Sequence, residues 1–224
     1  MIDRIINNLK TIMTSSSESF MNSLYNRISD FVSYSQLPQI YQVEYLDINN
    51  LSANLQLLYD NTENILENDK SLLVLAESYK ETGFIASMLI EKYIQYCIIN
   101  DLPIPSILYI DTNLLIEDYK KLMDGDDIEL VHSIDVLQGE IEKAQYVIWD
   151  KFSMVNSEYA KSKLYDILSI RYRRCLSNMF MLNENLDYIQ NQLGIEMLNV
   201  MNLNASIVRT NNEKFIHMRN GVQL

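Results

Sequence analysis

The sequence predicts an α/β fold in which a parallel β-sheet is flanked by helices and preceded by a small helical extension. From residue 71 onward, short runs of apolar and β-branched residues alternate with amphipathic segments, which is typical of buried strands joined by helices. The 5 glycines and 3 prolines in 224 residues are too few for the turns of an all-β sandwich. This length allows one domain of about 150–200 residues and a short extension.

Residues 1–34 are predicted to form the helical extension. Apolar residues at helical spacing form a stripe near the N-terminus, followed by a serine run at 15–17; the stripe consists of Ile2, Ile5, Ile6, Leu9 and Ile12. A second helix over 18–34 ends before Pro38, which disfavours helix in the preceding residue. We expect the stripe to dock on a partner protein. Packing of the stripe on the chain's own domain is the alternative.

The remaining elements follow from the period of the apolar residues. Alternation and β-branched runs predict strands, and recurrence every three to four residues predicts helices. The strands are predicted at 71–75, 106–111, 146–150, 178–182 and 205–208, and the helices at 50–66, 83–99, 113–123, 133–144, 158–175, 186–193 and 195–203.

Composition excludes several classes of function. The 18 Lys and Arg against 30 Asp and Glu give a net charge of −12, which disfavours duplex DNA binding through bulk charge. Cys97 and Cys175 stand without Cys or His clustering, so neither a disulfide framework nor a zinc site is expected. The sequence contains no signal peptide pattern and no apolar run of the ~18 residues that cross a membrane. We therefore expect a cytoplasmic protein that binds no membrane.

The segment after the first predicted strand has the length of a P-loop. In the motif G-x-x-x-x-G-K-[ST], backbone N–H groups and a lysine hold nucleotide phosphates. In this chain the four defining positions fall on Ala76, Glu81, Thr82 and Gly83. A carboxylate at Glu81 repels phosphate and the lysine is missing at Thr82, although Lys80 lies two positions earlier. An ordinary strand-to-helix turn unrelated to a P-loop is the alternative.

Two later strands are followed by polar residues that suit a nucleotide site. The strand at 146–150 ends in Asp150, but Lys151 replaces the second acid that usually polarises the attacking water. A lysine at this position is able to pair with Asp150. Asn183 follows the strand at 178–182 and is interpreted either as a polar residue that senses bound nucleotide or as a cap of the next helix. Ligands of such domains bind beyond the carboxyl ends of the strands, so these residues are expected to form a degenerate nucleotide site.

Together these segments resemble the AAA+ domain of replicative-helicase loaders of the DnaC/DnaI type, which are relatives of the IstB ATPases. The resemblance runs from Leu37 to Arg219 and also rests on the segments Leu37–Tyr41, Ile107–Leu115, Ile170–Arg174 and Leu193–Glu196. Glu196 stands where the family commonly has arginine. The resemblance implies a P-loop NTPase, AAA+-like fold over residues 35–224. Because the catalytic residues are missing, we expect no cofactor, no metal and no catalysis.

A basic island lies within the predicted helix at 158–175 and the residues before it. In the family that the chain resembles, this helix helps to contact single-stranded DNA or a neighbouring subunit, which implies such a role for Lys161, Lys163, Arg171, Tyr172, Arg173 and Arg174. Salt bridges to the chain's own acids are the alternative.

The resemblance and the missing residues lead to one expected function. We expect a catalytically inactive, phage- or mobile-element-encoded helicase-loader protein that acts as a binding module in DNA replication. Its partner would be a replicative helicase or another loader, which it either loads without conventional ATP hydrolysis or blocks; alone it would be a monomer or dimer. One alternative is a residual ATP-binding loader or slow ATPase that uses Lys80, Asp150 and Asn183. Another is a phage host-takeover or anti-defence protein on a pseudo-ATPase scaffold.

Overall fold

A computed structural model describes residues 1–12, 18–43, 45–46, 51–68, 71–76, 79–125, 127–152, 157–183, 186–202, 205–209, 215–216, 218–219 and 222–223. The helices are α1 (Ile2–Ile12), α2 (Glu18–Tyr34), α3 (Gln39–Val43), α4 (Ala53–Asp60), α5 (Thr62–Glu67), α6 (Tyr79–Ile99), α7 (Thr112–Asp124), α8 (Ile128–Lys143), α9 (Glu158–Arg173), α10 (Leu186–Leu193) and α11 (Ile195–Asn202). The strands are β1 (Tyr45–Leu46), β2 (Ser71–Leu75), β3 (Ile107–Asp111), β4 (Tyr146–Asp150), β5 (Ser177–Leu182), β6 (Ala205–Arg209), β7 (Phe215–Ile216), β8 (Met218–Arg219) and β9 (Val222–Gln223).

The central sheet has five strands in the order β3-β4-β5-β2-β6. All of its pairings are parallel, which confirms the predicted parallel sheet. Two short antiparallel pairs, β1 with β7 and β8 with β9, lie outside it. Parallel strands need crossover connections, and helices supply them here as the alternating sequence pattern predicts.

Alternation along the strands divides the core into two layers. Leu72 and Val74 of β2 face a cluster that contains residues of α1, α2 and α6, whereas Leu73 and Leu75 face residues of α7, α8, α9 and α11. Successive side chains of a strand point to opposite faces, so one apolar run fills both layers. Both faces of the sheet are therefore covered by helices.

The apolar stripe of α1 belongs to the first core layer. Ile5 and Leu9 are 0% exposed and Ile6 is 6% exposed, in the same cluster as residues of β2 and α6. Nη2 of Arg4 lies 2.7 Å from Oε2 of Glu91 on α6 and holds the helix in place. These observations support the alternative interpretation, in which the stripe packs on its own domain.

The prediction of a free docking face on α1 is therefore corrected for most of the stripe. Ile2 also packs against the cluster, and Ile12 alone among the five residues is exposed, at 58%. An amphipathic pattern predicts that a face is covered but does not identify the covering surface.

Several helix boundaries differ from the prediction, and capping residues account for two of the differences. The helix predicted at 50–66 is two helices, α4 and α5, with Asn61 as the C-cap of α4. Helix α8 begins at Ile128 rather than at 133, because the side chain of Asp127 accepts the N–H of Leu130 at 3.0 Å. Helix α6 begins at Tyr79, four residues before the predicted start. None of the described helices has both the length and the apolar character needed to cross a membrane.

Candidate functional site

The carboxyl ends of four neighbouring strands bring the predicted site residues to one edge of the sheet. Asp111 at the end of β3 lies opposite Asp150 at the end of β4 in the strand register. Ala76 follows β2 and donates its N–H to the carbonyl of Leu182, the last residue of β5, at 2.8 Å. Asn183 follows directly. The predicted grouping of these segments at one edge of the sheet is thus present in the structure.

Asp150 is the centre of a buried hydrogen-bond network. Its side chain is 0% exposed and accepts hydrogen bonds from three donors. The hydroxyl of Thr82 donates to Oδ1 at 2.6 Å, the backbone N–H of Lys151 donates to Oδ1 at 2.9 Å, and the hydroxyl of Tyr109 donates to Oδ2. A buried carboxylate is stabilised only when its oxygens are paired in this way.

The protonation of this network follows from its burial. Burial raises the pKa of the Asp150 carboxyl, and the hydrogen bonds from Thr82 and Tyr109 oppose that rise. Burial also raises the pKa of the Tyr109 phenol, and the negative charge of Asp150 adds to the effect. Tyr109 therefore stays protonated at neutral pH and acts as a donor.

Lys151 pairs with a different acid from the one expected. Its Nζ lies 2.5 Å from Oδ2 of Asp111, while its contact with Asp150 runs through the backbone N–H. The expected side-chain pair between Lys151 and Asp150 is corrected accordingly. Burial acts to lower the pKa of Lys151, but the hydrogen bond and charge of Asp111 outweigh it and raise the pKa. The ammonium is therefore charged at neutral pH.

Tyr41 of α3 covers the start of α6. A Cβ added to Gly83 would lie 2.1 Å from Cζ of Tyr41, so the ring sits directly against the glycine backbone. The ring packs edge-to-face on Phe84 with centroids 5.0 Å apart, and it is 8% exposed. The hydroxyl of Ser87 donates to the carbonyl of Tyr41 at 2.6 Å. These contacts fix an aromatic side chain over the helix turn that a P-loop would use for phosphates.

The other predicted site residues differ in how they are placed. Glu81 is buried, at 3% exposure, next to Thr82 at 0%. Oδ1 of Asn183 is buried and has no hydrogen-bond partner within the described part of the chain. The side chain of Lys80 lies outside the described residues.

Arg171 of the basic island is a core residue, which corrects its expected role in contacting DNA or a subunit. It is 0% exposed, and burial lowers its pKa to about 9, so the guanidinium is still charged at neutral pH. It donates to Oδ1 of Asn178 at 2.7 Å, and that oxygen also accepts the indole N–H of Trp149 at 3.0 Å. Its other acceptors are the carbonyls of Ile141, Ala144, Gln145 and Ser177.

Two other cations of the basic island form salt bridges with acids of the chain itself, as the alternative interpretation predicts. Lys161 pairs with Glu158 at 2.7 Å and Arg174 pairs with Glu142 at 3.4 Å, while Nζ of Lys163 lies 5.6 Å from the ring centroid of Tyr159. Tyr172 and Arg173 are exposed. These two side chains therefore remain accessible for the contact that the sequence predicts.

Three members of the site were missed in the sequence: Tyr41, Tyr109 and Asp111. Asp111 had a usable signal, because an acid that ends a strand beside Asp150 must lie at the same edge of the sheet. Tyr109 lies two residues earlier on the same face of β3. Nothing local to Tyr41 indicates its contact with Gly83, because the two are 42 positions apart in the sequence.

The sheet order and the helices on both faces form an α/β fold like that of the AAA+ P-loop NTPases. Among solved structures, the chain is similar to the DnaC helicase loader, with a TM-score of 0.58 and 16% identity over 78% of this chain and 100% of the other. It is similar to DnaI at 0.60 and 10%, over 79% and 93%.

A third similar structure is AMPPCP-bound DnaA from Aquifex aeolicus, with a TM-score of 0.54 and 8% identity over 72% of this chain and 48% of that chain. No family model matches the sequence, and no curated protein matches it. The chain therefore has the fold of the DnaC/DnaI-type helicase loaders.

Proposed function

We propose that the chain is a catalytically inactive helicase-loader-type protein that acts as a binding module in DNA replication. In this proposal it binds a replicative helicase, or another loader, without conventional ATP hydrolysis. The fold that the chain shares with DnaC and DnaI supports a role in DNA replication. The observation that carries the inactive state is the network in which Thr82 and Lys151 engage Asp150.

This network uses the groups that would hold magnesium. In P-loop NTPases the metal is bound by the P-loop Ser or Thr and by the acid that ends the Walker B strand. Here the hydroxyl of Thr82 donates to Asp150 directly, 2.6 Å apart. The ammonium of Lys151, held on Asp111, supplies a positive charge at the same edge. In this proposal the ammonium supplies positive charge that a metal ion would otherwise bring to this edge of the sheet.

The phosphate-binding lysine is missing in either alignment of the P-loop. If the motif is aligned by its spacing from β2, the lysine position falls on Thr82. If Thr82 is instead taken as the Ser or Thr of the motif, because its hydroxyl contacts Asp150, the lysine position falls on Glu81. Glu81 is buried, at 3% exposure. A carboxylate there opposes phosphate binding, and the ring of Tyr41 on Gly83 closes the same turn.

The group that would activate water is also missing. Hydrolysis of ATP needs a residue that positions the attacking water or accepts its proton. Lys151 occupies that position, and its raised pKa keeps it protonated at neutral pH. A protonated ammonium has no lone pair for this step.

One observation favours a second function, a residual ATP-binding loader. Oδ1 of Asn183 is buried without a partner among the described residues, and a buried acceptor of this kind calls for a ligand or water. In this version Lys80 would supply the positive charge, with Asp150 and Asn183 beside it.

Co-elution tests the proposed function. The purified chain is mixed with the replicative helicase, and separately with a DnaC/DnaI-type loader, of the host bacterium, each with and without Mg·ATP, and separated by size exclusion with light scattering. We expect a complex with at least one of them that is equally abundant in both conditions. Failure to bind either protein, or binding only in the presence of ATP, would contradict the proposal. The free chain in the same runs gives its oligomeric state.

A further inference from the structure

Residues 35–41 run from the end of α2 into α3 and lie along the outer side of β3; we call this segment the strap. β3 is an edge strand of the central sheet, so N–H groups on its outer side have no neighbouring strand of that sheet to pair with. The N–H of Tyr109 on β3 donates to the carbonyl of Ser35 at 2.8 Å. The strap therefore supplies an acceptor that the sheet itself lacks at this position.

The other end of the strap covers the site edge. The hydroxyl of Ser87 on α6 donates to the carbonyl of Tyr41 at 2.6 Å. The ring of Tyr41 lies against the backbone of Gly83, and its centroid is 6.2 Å from that of the Tyr109 ring. The hydroxyl of Tyr109 in turn donates to Asp150. The strap thus meets Tyr109 at both ends, through the backbone at one end and through the ring at the other.

Two features of the strap oppose its folded conformation. Gln36 has a φ of 56°, in the left-handed region, which costs free energy for a residue with a Cβ. Helix α3 has five residues, fewer than an isolated helix needs to be stable in water. The closed strap is therefore held by its contacts with the domain and not by its own backbone structure.

The strap buries little apolar surface in these contacts. Leu37 and Tyr41 are its buried apolar side chains, and Pro38 is partly buried. The exposed side chains are Gln36, Gln39 and Ile40. In β4, by comparison, all five residues are buried. Segments that bury few apolar side chains open at a lower free-energy cost than core strands, while the rest of the domain stays folded.

We propose that the strap opens as a unit while the central sheet stays folded, so that it is an autoinhibitory cover with a closed and an open state. Opening breaks the hydrogen bond between Tyr109 and Ser35 and takes the ring of Tyr41 off Gly83. The first turn of α6 and the hydroxyl of Tyr109 then face solvent. A ligand or partner that binds only these exposed groups shifts the equilibrium towards the open state. The inference rests on contacts within this chain and holds whether or not the proposed function does.

Amide hydrogen exchange, resolved by residue in NMR spectra of the full chain, tests this opening. The N–H of Tyr109 faces the strap, whereas those of Leu108 and Ile110 face β4, because N–H directions alternate along β3 and the carbonyl of Ser106 accepts the N–H of Tyr146. After correction for intrinsic rates, we expect Tyr109 to be protected but to exchange at least about tenfold faster than both neighbours, with a weaker dependence on urea. Equal rates and urea dependence for the three amides, or no protection of Tyr109, would overturn the proposal.

Variants separate opening of the strap from unfolding of the domain. Tyr41→Ala removes the ring that holds the closed state, and we expect it to speed exchange at Tyr109 at least about tenfold. Ile40→Ala, at the neighbouring 51% exposed position, should leave that rate unchanged. Ile167→Val weakens the second core layer, whereas the strap's buried apolar side chains belong to the first. It should speed exchange at Ile148 in β4 and leave Tyr109 unchanged. Equal effects of Ile167→Val on the two amides, or equal effects of Tyr41→Ala and Ile40→Ala on Tyr109, would refute a strap that opens independently.

Discussion

Substituting Gly83 with alanine should destabilise the protein, whereas the same substitution at Gly139 should stabilise it. Both glycines lie inside helices, α6 and α8, with φ outside the left-handed region. Alanine in such a position gains about 0.5–1 kcal/mol of helix propensity. The two sites differ in their surroundings, because a Cβ at Gly83 meets the ring of Tyr41 and a Cβ at Gly139 meets nothing within 4 Å.

The size of the penalty at Gly83 follows from the contact distances. Three ring atoms of Tyr41 would lie 2.1, 2.4 and 2.6 Å from the new methyl group. The ring cannot move freely, because it packs against Phe84 and lies 6.2 Å, centroid to centroid, from the ring of Tyr109. Overpacking of this kind costs about 1–3 kcal/mol. After subtraction of the helix-propensity gain, the net loss is centred on about 1 kcal/mol, or about 2–4 °C in melting temperature, against a gain of about 2 °C for Gly139→Ala.

Urea denaturation followed by circular dichroism measures these free energies of unfolding. The double variant Tyr41→Ala/Gly83→Ala supplies the control, because removal of the ring should make Gly83→Ala neutral or stabilising in that background. Two results would refute the packing of Tyr41 on α6: a Gly83→Ala variant as stable as Gly139→Ala, or equal effects of Gly83→Ala with and without the ring.

Three further substitutions probe the buried polar groups. Lys151→Met should lower the free energy of unfolding by about 1–2 kcal/mol, a range that is reduced because the lysine side chain is 33% exposed. Mg²⁺ should then raise the melting temperature of the variant but not that of the wild type. The exposed pair broken by Lys121→Met should leave stability unchanged, and a similar loss there would contradict the special role of Lys151. Because burial raises the pKa of Asp150, the folded chain holds this proton more tightly than the unfolded chain, so its contribution to stability is lost as pH rises above the ordinary carboxyl pKa of about 4. The free energy of unfolding of Asp150→Asn minus that of the wild type should therefore increase as the pH of the urea titrations is raised, and a constant difference would contradict the burial of an ionisable carboxyl. Arg171→Met should cost about 3–5 kcal/mol in thermal unfolding, because a buried set of acceptors loses its donor, while exposed Arg173→Met should cost nothing measurable; equal effects would contradict the placement of Arg171 in the core.

The order of strands and helices was predictable because each element carries its own apolar period. The strands at 71–75 and 146–150 coincide with β2 and β4, whose residues are apolar on both faces. The grouping of Ala76, Asp150 and Asn183 followed from the same prediction, because parallel strands bring their carboxyl ends together. These parts of the fold depend on local sequence and on topology alone.

The details of the site depend on tertiary contacts that no local pattern encodes. Lys151 had two acids within reach, and the sheet register together with its left-handed φ of 56° directs its side chain to Asp111. Arg171 lies in a run of cations on a helix, as a surface residue would, but it faces the carbonyl of Gln145 just before β4 and that of Ser177, the first residue of β5. The pattern of α1 likewise predicted an apolar face without indicating that α6 covers it.

Isothermal titration of Mg·ATP into the purified chain, repeated with ADP, tests the central claim of a closed nucleotide site most directly. With Glu81 and Thr82 in the P-loop segment, Lys151 on Asp111 and Tyr41 against Gly83, we expect no saturable heat up to about 1 mM nucleotide. Saturable binding below that concentration, abolished by Lys80→Ala, would contradict the claim and establish a nucleotide-binding loader instead.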